Sequence, residues 1–321
     1  MTDSPLQVRV HHLMDRSPGT ADAVRILDLR PVADTVLPSF EAGAHIDIHA
    51  GAGIVRQYSL LNDPAETHRY VVAVALDAES RGGSRWIHDW VEPDDLLTIS
   101  APRCHFHLVE DAAHSVLIAG GIGITPIWAM AQRLMALGRS FELHYGARRA
   151  ATAPLLDDMV CALQDSGRFH TRFEESDGRL DLKGILAAAP AGSHVYACGP
   201  AAMLDAYLAA SQGLPSDCIH YERFAATIEA ASEGGFTVEL ARRQMKIDVQ
   251  SGQTILDALK TAGVNAPHSC AEGICGACET AILSGVADHR DSVLSDAEKA
   301  AGKTMMICCS GAKTPNLVLD L

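Results

Sequence analysis

Four cysteines near the C-terminal end constrain this chain more than any other feature. Cys270, Cys275 and Cys278 follow the spacing C-x4-C-x2-C within HSCAEGICGACET, and the next cysteine, Cys308, comes after 29 residues. Three thiolates from one short loop and a fourth from farther along is the plant-type [2Fe–2S] spacing. The loop must curl tightly, and Gly273 and Gly276 let its backbone N–H groups turn toward the sulfurs. Zinc also takes thiolates, but its sites usually draw on two separated knuckles, and only one C-x2-C pair is present. Buried free thiols would need no such spacing. Cys308 and Cys309 are adjacent, and an extended segment cannot point both at one cluster. The residues alone do not say which of the two is the ligand.

The other cysteines add a second exclusion. There are nine in 321 residues, an odd number with four bunched together, which does not read as the disulfide framework of a secreted chain. The opening MTDSPLQVRVHH lacks a basic stretch followed by an apolar one, so no secretory signal is expected. The longest apolar run, Ser115 to Ala131, is broken by Gly120, Gly121, Gly123 and Pro126 and reads as a buried strand turning into a helix. The expected setting is therefore cytoplasmic, without membrane association. A formal net charge of −14 disfavours nucleic acid as a partner, since phosphate backbones call for clustered basic residues. That charge does not mark a docking face: residues 236–321 carry 10 acidic and 8 basic residues, so most of the excess lies upstream.

The chain divides into three domains and a linker. From residue 6 to about 108, short β-rich runs such as Ala23–Leu29, His45–His49, Ile54–Leu60 and Tyr70–Ala75 alternate with turn residues, predicting a small antiparallel barrel over 1–108. From 109 to 225 strands alternate with helices. Ser115–Ala119 precedes Pro126–Leu137, Phe141–Tyr145 precedes Pro154–Leu163, and His194–Cys198 precedes Ala201–Ala210, which predicts an α/β domain with a parallel sheet. The small, polar stretch 226–235 reads as a linker. Residues 236–321 open with the alternating Phe236–Leu240 and carry the cysteine cluster.

Three further motifs carry chemistry. In Arg56-Gln57-Tyr58-Ser59, a strand points Arg56 and Tyr58 to one face and Ser59 to the other. An exposed arginine and a half-buried tyrosine on an amphipathic strand is the plain structural alternative. About 25 residues on, Arg81-Gly82-Gly83-Ser84 offers backbone N–H donors and a helix start to a phosphate, although a Gly-Gly turn capped by serine is common. In Gly120-Gly121-Ile122-Gly123-Ile124-Thr125-Pro126, glycines at a strand–helix junction let a backbone approach a pyrophosphate, with proline set for the first turn. The pattern is not G-x-G-x-x-G, and the following strand runs into Arg148-Arg149 rather than an acidic residue.

Together these segments resemble the phthalate dioxygenase reductase and vanillate demethylase reductase family, the class IA reductases of oxygenases. The resemblance rests on R-x-Y-S, G-G-x-G-x-T-P, Cys198-Gly199-Pro200, Glu222-Arg223-Phe224 and the whole segment LDALKTAGVNAPHSCAEGICGACETAILSGVADHRDSVLSDAEKA. It implies an FMN-binding barrel, a ferredoxin reductase-like nicotinamide domain and a C-terminal β-grasp ferredoxin, in that order. Arg56, Tyr58, Ser59, Gly82, Gly83 and Ser84 would hold FMN, for which the short span between the two motifs leaves no adenosine insertion. Gly120, Gly121 and Gly123 would line the coenzyme, Thr125, Cys198, Gly199 and Pro200 would stand near the nicotinamide, and Phe224 would cover the flavin. The family motif C-[VC]-S makes Cys308 the fourth metal ligand. NADH is the implied donor, with Arg148 and Arg149 leaving NADPH open.

The implied function passes hydride from NADH to FMN and single electrons through the cluster, with no side chain acting as acid or base. A plant-type cluster at about −400 mV suits delivery to a terminal oxygenase, here a Rieske aromatic dioxygenase or O-demethylase. A cytochrome P450 is the alternative acceptor. A non-catalytic redox sensor or adaptor and a zinc-binding module are the rivals of other classes. Cys104-His105-Phe106-His107 has metal-binding residue types but no carboxylate beside it in sequence, and is expected to be structural, as is His289-Arg290-Asp291. His11-His12 is expected to open a strand.

Overall fold

The computed structural model describes residues 5–20, 22–33, 35–77, 82–225 and 228–321. Arg81 of the proposed phosphate turn and positions 226–227 of the expected linker lie outside the described residues. The chain forms two compact units, one running up to Arg223 and one from Phe224 onward.

The first unit opens with antiparallel strands β1 (Leu6–Arg16), β2 (Val24–Pro31), β3 (Ala44–Ala50), β4 (Ile54–Ser59), β5 (Tyr70–Ala75), β6 (Leu96–Ile99) and β7 (Arg103–Cys104), with helix α1 (Gly83–Trp90) between β5 and β6. They pair in the order β4-β3-β6-β1-β2-β5, with β7 beside β3. A bridge from Leu60, just after β4, to Val72 in β5 brings the two edges together, and the predicted barrel is found. Val8, Val10, Leu27, Leu29, Ile46, Ile48 and Tyr70 fill its interior. His11 and His12 do not open a strand: they lie within β1, where the register against β2 shifts between Val10 and His12. The shift is a bulge that bends a long strand around a small barrel.

Next come β8 (Ser115–Gly120), α2 (Ile124–Ala136), β9 (Phe141–Ala147), α3 (Leu156–Leu163), β10 (Phe169–Phe173), the one-turn α4 (Glu174–Asp177), α5 (Leu182–Ala188), β11 (His194–Cys198), α6 (Ala201–Ala210) and β12 (Ile219–Glu222). The strands form a wholly parallel sheet in the order β10-β9-β8-β11-β12. The chain winds outward from β8 on one side, then returns to start again at β11. That makes the gap between the C-terminal ends of β8 and β11 the topological switch point, where open α/β sheets bind ligands. Barrel and sheet share one core: Val24, Leu61, Val71, Ala73 and Phe106 pack with Ile127, Trp128 and Met130 of α2. Gln132 of α2 also donates to the Leu61 carbonyl at 2.7 Å.

The second unit holds β13 (Phe236–Leu240), β14 (Met245–Val249), α7 (Ile255–Thr261), β15 (Glu279–Ser284), β16 (Ala287–Asp288), α8 (Asp296–Ala301), β17 (Thr304–Met306), β18 (Gly311–Ala312) and β19 (Asn316–Leu319). Its mixed sheet runs β14-β13-β19-β15-β17, with β13 and β19 parallel at the centre. Helix α7 buries Ile255, Leu256, Ala258 and Leu259, and Thr254 and Asp257 close a capping box at its start. This is the expected β-grasp. The second half of the 226–235 stretch packs on this unit: the Ala231 N–H donates to the Cys309 carbonyl at 2.7 Å, and Gly252 N–H donates to that of Ser232. No helix among the described residues is long and apolar enough to cross a membrane.

Candidate cofactor sites

In the second unit the segment between α7 and β15 has no regular structure because it wraps a group of sulfurs. Cys270, Cys275, Cys278 and Cys308 are all at most 7% exposed, and none is in a disulfide. Cys270 reaches Cys275 and Cys308 with side-chain hydrogen bonds, and Cys278 reaches Cys308. This crowding, with the N–H groups of Ile274 and Glu272 aimed at its sulfur, holds the Cys270 thiol well below its ordinary pKa. The same contacts, with burial, push Cys275 and Cys308 up. Cys278 is lowered as well, so the four thiols split into two lowered and two raised, the mutual coupling expected of sulfurs gathered around one point.

The loop's curl has visible causes. Ala271, Gly273 and Gly276 have φ of 58°, 72° and 69°. At Gly273 there is no room for a side chain either, since a β-carbon would stand 2.4 Å from Cys309 Sγ. Cys309 thus packs against the loop at Gly273. The His289-Arg290-Asp291 segment clamps the loop: Ser292 N–H donates to the Gly273 carbonyl at 2.9 Å, and Arg290 N–H donates to Ser310 Oγ at 3.2 Å. Asp291, 2% exposed, accepts from Val293 and Leu294 N–H through Oδ2. A donor set of four buried, clustered thiols fits a [2Fe–2S] cluster.

In the barrel, strand β4 carries Arg56, Tyr58 and Ser59. Burial raises the Tyr58 phenol and the Arg56 charge partly offsets it, so the ring is a neutral, largely covered surface. Gly82, at φ 99°, caps α1, and Gly83 and Ser84 begin the helix. A β-carbon at Gly83 would stand 2.4 Å from Arg56 Cγ. The two parts of the expected phosphate site are thus in contact. Ser84 Oγ accepts from the Asp77 N–H at 3.3 Å.

At the switch point, Gly121–Gly123 form a single 3-10 turn and Thr125 sits in the first turn of α2, 2% exposed, its Oγ1 donating to the Ile122 carbonyl at 3.1 Å. Cys198 ends β11, followed by Gly199 and Pro200 before α6. The two turns interlock: a β-carbon at Gly123 would stand 2.3 Å from the Cys198 carbonyl oxygen, and one at Gly120 2.8 Å from Pro200 Cδ. Phe224, 41% exposed, opens the second unit.

Four carboxylates take partners that a reading of the sequence does not show. Glu222 lies beside Cys198 in the register of β11 and β12, hydrogen-bonds Ser59, and has its pKa raised to about 8 by burial. Its Oε2 has no hydrogen-bond partner. Burial keeps Cys198 a thiol, and any ionisation of Glu222 beside it acts in the same direction. Only the E-x-F pattern marked this acid. Asp22, from the barrel, pairs with Arg149 at 2.5 Å and Arg148 at 3.7 Å, and Glu175 stands 3.6 Å from Arg149. Glu41 meets His107 at 3.1 Å and lies near Cys104, supplying a carboxylate that local sequence lacked.

A barrel and a parallel sheet with a shared core, a switch-point crevice and a separate unit gathering four thiols define an electron-transfer oxidoreductase. Residues 117–208 match the oxidoreductase NAD-binding domain family, and residues 238–313 the 2Fe-2S iron-sulfur cluster binding domain family. The chain is 52% identical to the phenoxybenzoate dioxygenase subunit beta of Ectopseudomonas oleovorans, over 100% of this chain and 98% of that protein. It is 37% identical to the crystal structure of phthalate dioxygenase reductase, described as a modular structure for electron transfer from pyridine nucleotides to [2Fe–2S], with a TM-score of 0.72 over 99% of this chain and 98% of the other. It is 41% identical, at TM-score 0.89 over 99% of its length, to an intact type IV self-sufficient cytochrome P450 monooxygenase, of which it spans 41%. The chain belongs to the phthalate dioxygenase reductase family, the reductase components of oxygenase systems.

Proposed function

We propose that this reductase takes electrons from NADH through FMN and a [2Fe–2S] cluster to a separate Rieske oxygenase acting on an aromatic compound, by dioxygenation or O-demethylation. The observation that carries the reading is the meeting of Ser59, from the flavin strand, and Cys198, from the nicotinamide turn, at Glu222. That meeting supports a single site to which the flavin strand and the nicotinamide turn both contribute. We assign FMN to 1–108, NADH to 109–225, a linker to 226–235 and the cluster to 236–321.

Bound in these sites, the two groups supply the exchange of one hydride for two single electrons. The chain's own residues bind and orient. Arg56 and the N–H groups at Gly82, Gly83 and Ser84 hold a phosphate at the start of α1. Tyr58 offers a neutral ring to the isoalloxazine, and Ser59 a hydroxyl. Gly120, Gly121 and Gly123 admit the dinucleotide backbone, while Thr125, Cys198, Gly199 and Pro200 flank the nicotinamide. Cys270, Cys275, Cys278 and Cys308 ligate iron. The Asp22 and Glu175 carboxylates offset Arg148 and Arg149, which favours NADH over NADPH. Nine free cysteines suit the reducing cytoplasm.

Anaerobic titration with NADH tests the chain of carriers: flavin and iron–sulfur absorbance should bleach together. Cys275→Ser should abolish cytochrome c reduction and leave NADH-to-flavin hydride transfer; equal loss of both would overturn the electron order. A colourless protein, or one that does not oxidise NADH, would favour a zinc module or a redox adaptor. A second acceptor is favoured by the likeness to a self-sufficient P450. Reconstitution with a Rieske oxygenase and with a P450, comparing coupled turnover, distinguishes the two.

A further inference from the structure

Glu142, His144 and His170 take no part in the chemistry above, yet they meet on one face of the parallel sheet. Strand β9 alternates: Phe141, Leu143, Tyr145 and Ala147 enter the shared core, so Glu142 and His144 project to the opposite face. On that face the neighbouring strands present Val116, Ile118, Val195 and Ala197 to an apolar layer that includes Leu182 and Leu186 of α5. In the parallel register, His170 of the edge strand β10 stands beside His144. Two positions on one strand and one on its neighbour make a compact triangle.

The side chains complete it. One carboxylate oxygen and one nitrogen from each imidazole all lie within 4.8 Å of one another. The rings stack with centroids 4.8 Å apart and planes 23° apart. His144 Nε2 is 3.4 Å from Glu142 Oε1, yet this buried nitrogen makes no hydrogen bond. Buried polar atoms are nearly always satisfied, so an unsatisfied nitrogen beside a carboxylate asks for a partner.

We propose that Glu142, His144 and His170 bind a divalent transition-metal ion, zinc in the first instance, that fastens edge strand β10 to β9. Two imidazoles and a carboxylate are a zinc-type donor set, with remaining positions open to water. Donors on one zinc ion lie no more than about 4 Å apart, because each bond is about 2.1 Å. Glu142 and His144 at 3.4 Å already meet this limit, and His170, held only within 4.8 Å of them, is exposed and free to close any remainder. Among the described residues the other mixed cluster, Glu41, Cys104 and His107, is a poorer site: both Glu41 and His107 are exposed, so water competes for their donor atoms.

The test uses the full-length protein with cluster and flavin in place, dialysed against a mild chelator until iron is retained and zinc is gone. Zinc is then titrated by calorimetry and the bound metal counted by mass spectrometry. The expected result is one zinc per chain in wild type and in Glu41→Gln. His170→Gln and Glu142→Gln should each weaken binding at least about tenfold, the lower end of what even an outer-shell partner costs a metal site. His170 is exposed on an edge strand, so its variant should keep the wild-type visible spectrum. No zinc uptake by wild type, equal uptake by wild type and His170→Gln, or loss of uptake in Glu41→Gln would each overturn the proposal. NADH oxidation, read in parallel, stands or falls separately.

Discussion

Arg56 lies across Gly83: the arginine Cγ sits 2.4 Å from the point where a β-carbon of residue 83 would stand. A strand residue and a helix-start residue thus form one surface, with a guanidinium beside the first N–H groups of α1. Gly83→Ala has to push the arginine aside. A charge-assisted hydrogen bond contributes about 1.5–3 kcal/mol, so FMN affinity should fall about 10- to 100-fold. Flavin fluorescence titration of the deflavinated protein measures it, and unchanged affinity would remove Arg56 from the phosphate site.

Glu222 should make the first unit's stability depend on pH. A carboxyl whose pKa is raised on folding takes up a proton as the chain folds. Its contribution is fully present below the unfolded value of 4.5 and is lost as the pH rises through about 8. All three tryptophans, Trp86, Trp90 and Trp128, lie in the first unit, so intrinsic fluorescence follows it. Between pH 5 and 8.5 wild type should lose at least about 1–2 kcal/mol more than Glu222→Gln, since a tenfold change in proton affinity on folding corresponds to about 1.4 kcal/mol. Parallel pH profiles for the two proteins would contradict the burial argument.

Gly273→Ala should cost the cluster rather than the fold. The substitution meets both a positive φ of 72° and the Cys309 sulfur. Iron content and visible absorbance should fall to less than about half, by the 1–3 kcal/mol typical of overpacking, while flavin content is unchanged. A full iron complement in the purified variant would show that the loop tolerates a side chain there.

Asp22→Asn should relax coenzyme choice. It removes the carboxylate facing Arg148 and Arg149, whose side chains are 65% and 45% exposed. Exposed charge contacts are weak, so a rise of roughly two- to fivefold in kcat/KM for NADPH relative to NADH is expected. Steady-state kinetics with both coenzymes decide it.

What the sequence made legible was local. The thiolate spacing, R-x-Y-S and the two glycine turns each sit within a few residues, so their chemistry could be read before any strand was placed. The domain order followed from the change of period near residue 109. The encounter of Ser59, Cys198 and Glu222 was not legible, because it joins a barrel strand to two parallel strands and depends on register. The E-x-F motif marked Glu222 without giving it a role, and burial by distant chain is what sets it apart. Asp22 and Glu41 were invisible as partners for the same reason. Strand β10, with the sequence FHTRF, has His170, Thr171 and Arg172 exposed and lacked the apolar alternation that announces a strand.

The core shared by Val71, Ala73 and Phe106 with Trp128 and Met130 bears on how such a chain can be rearranged. A break near residue 108 would strip apolar surface from both halves, leaving two fragments prone to aggregate. A break after Arg223 would leave both cores intact, because the second unit closes on its own Val238, Leu259, Met305 and Leu317. Gene shuffling can therefore treat barrel and parallel sheet as one inherited cassette, with the ferredoxin module as the portable piece.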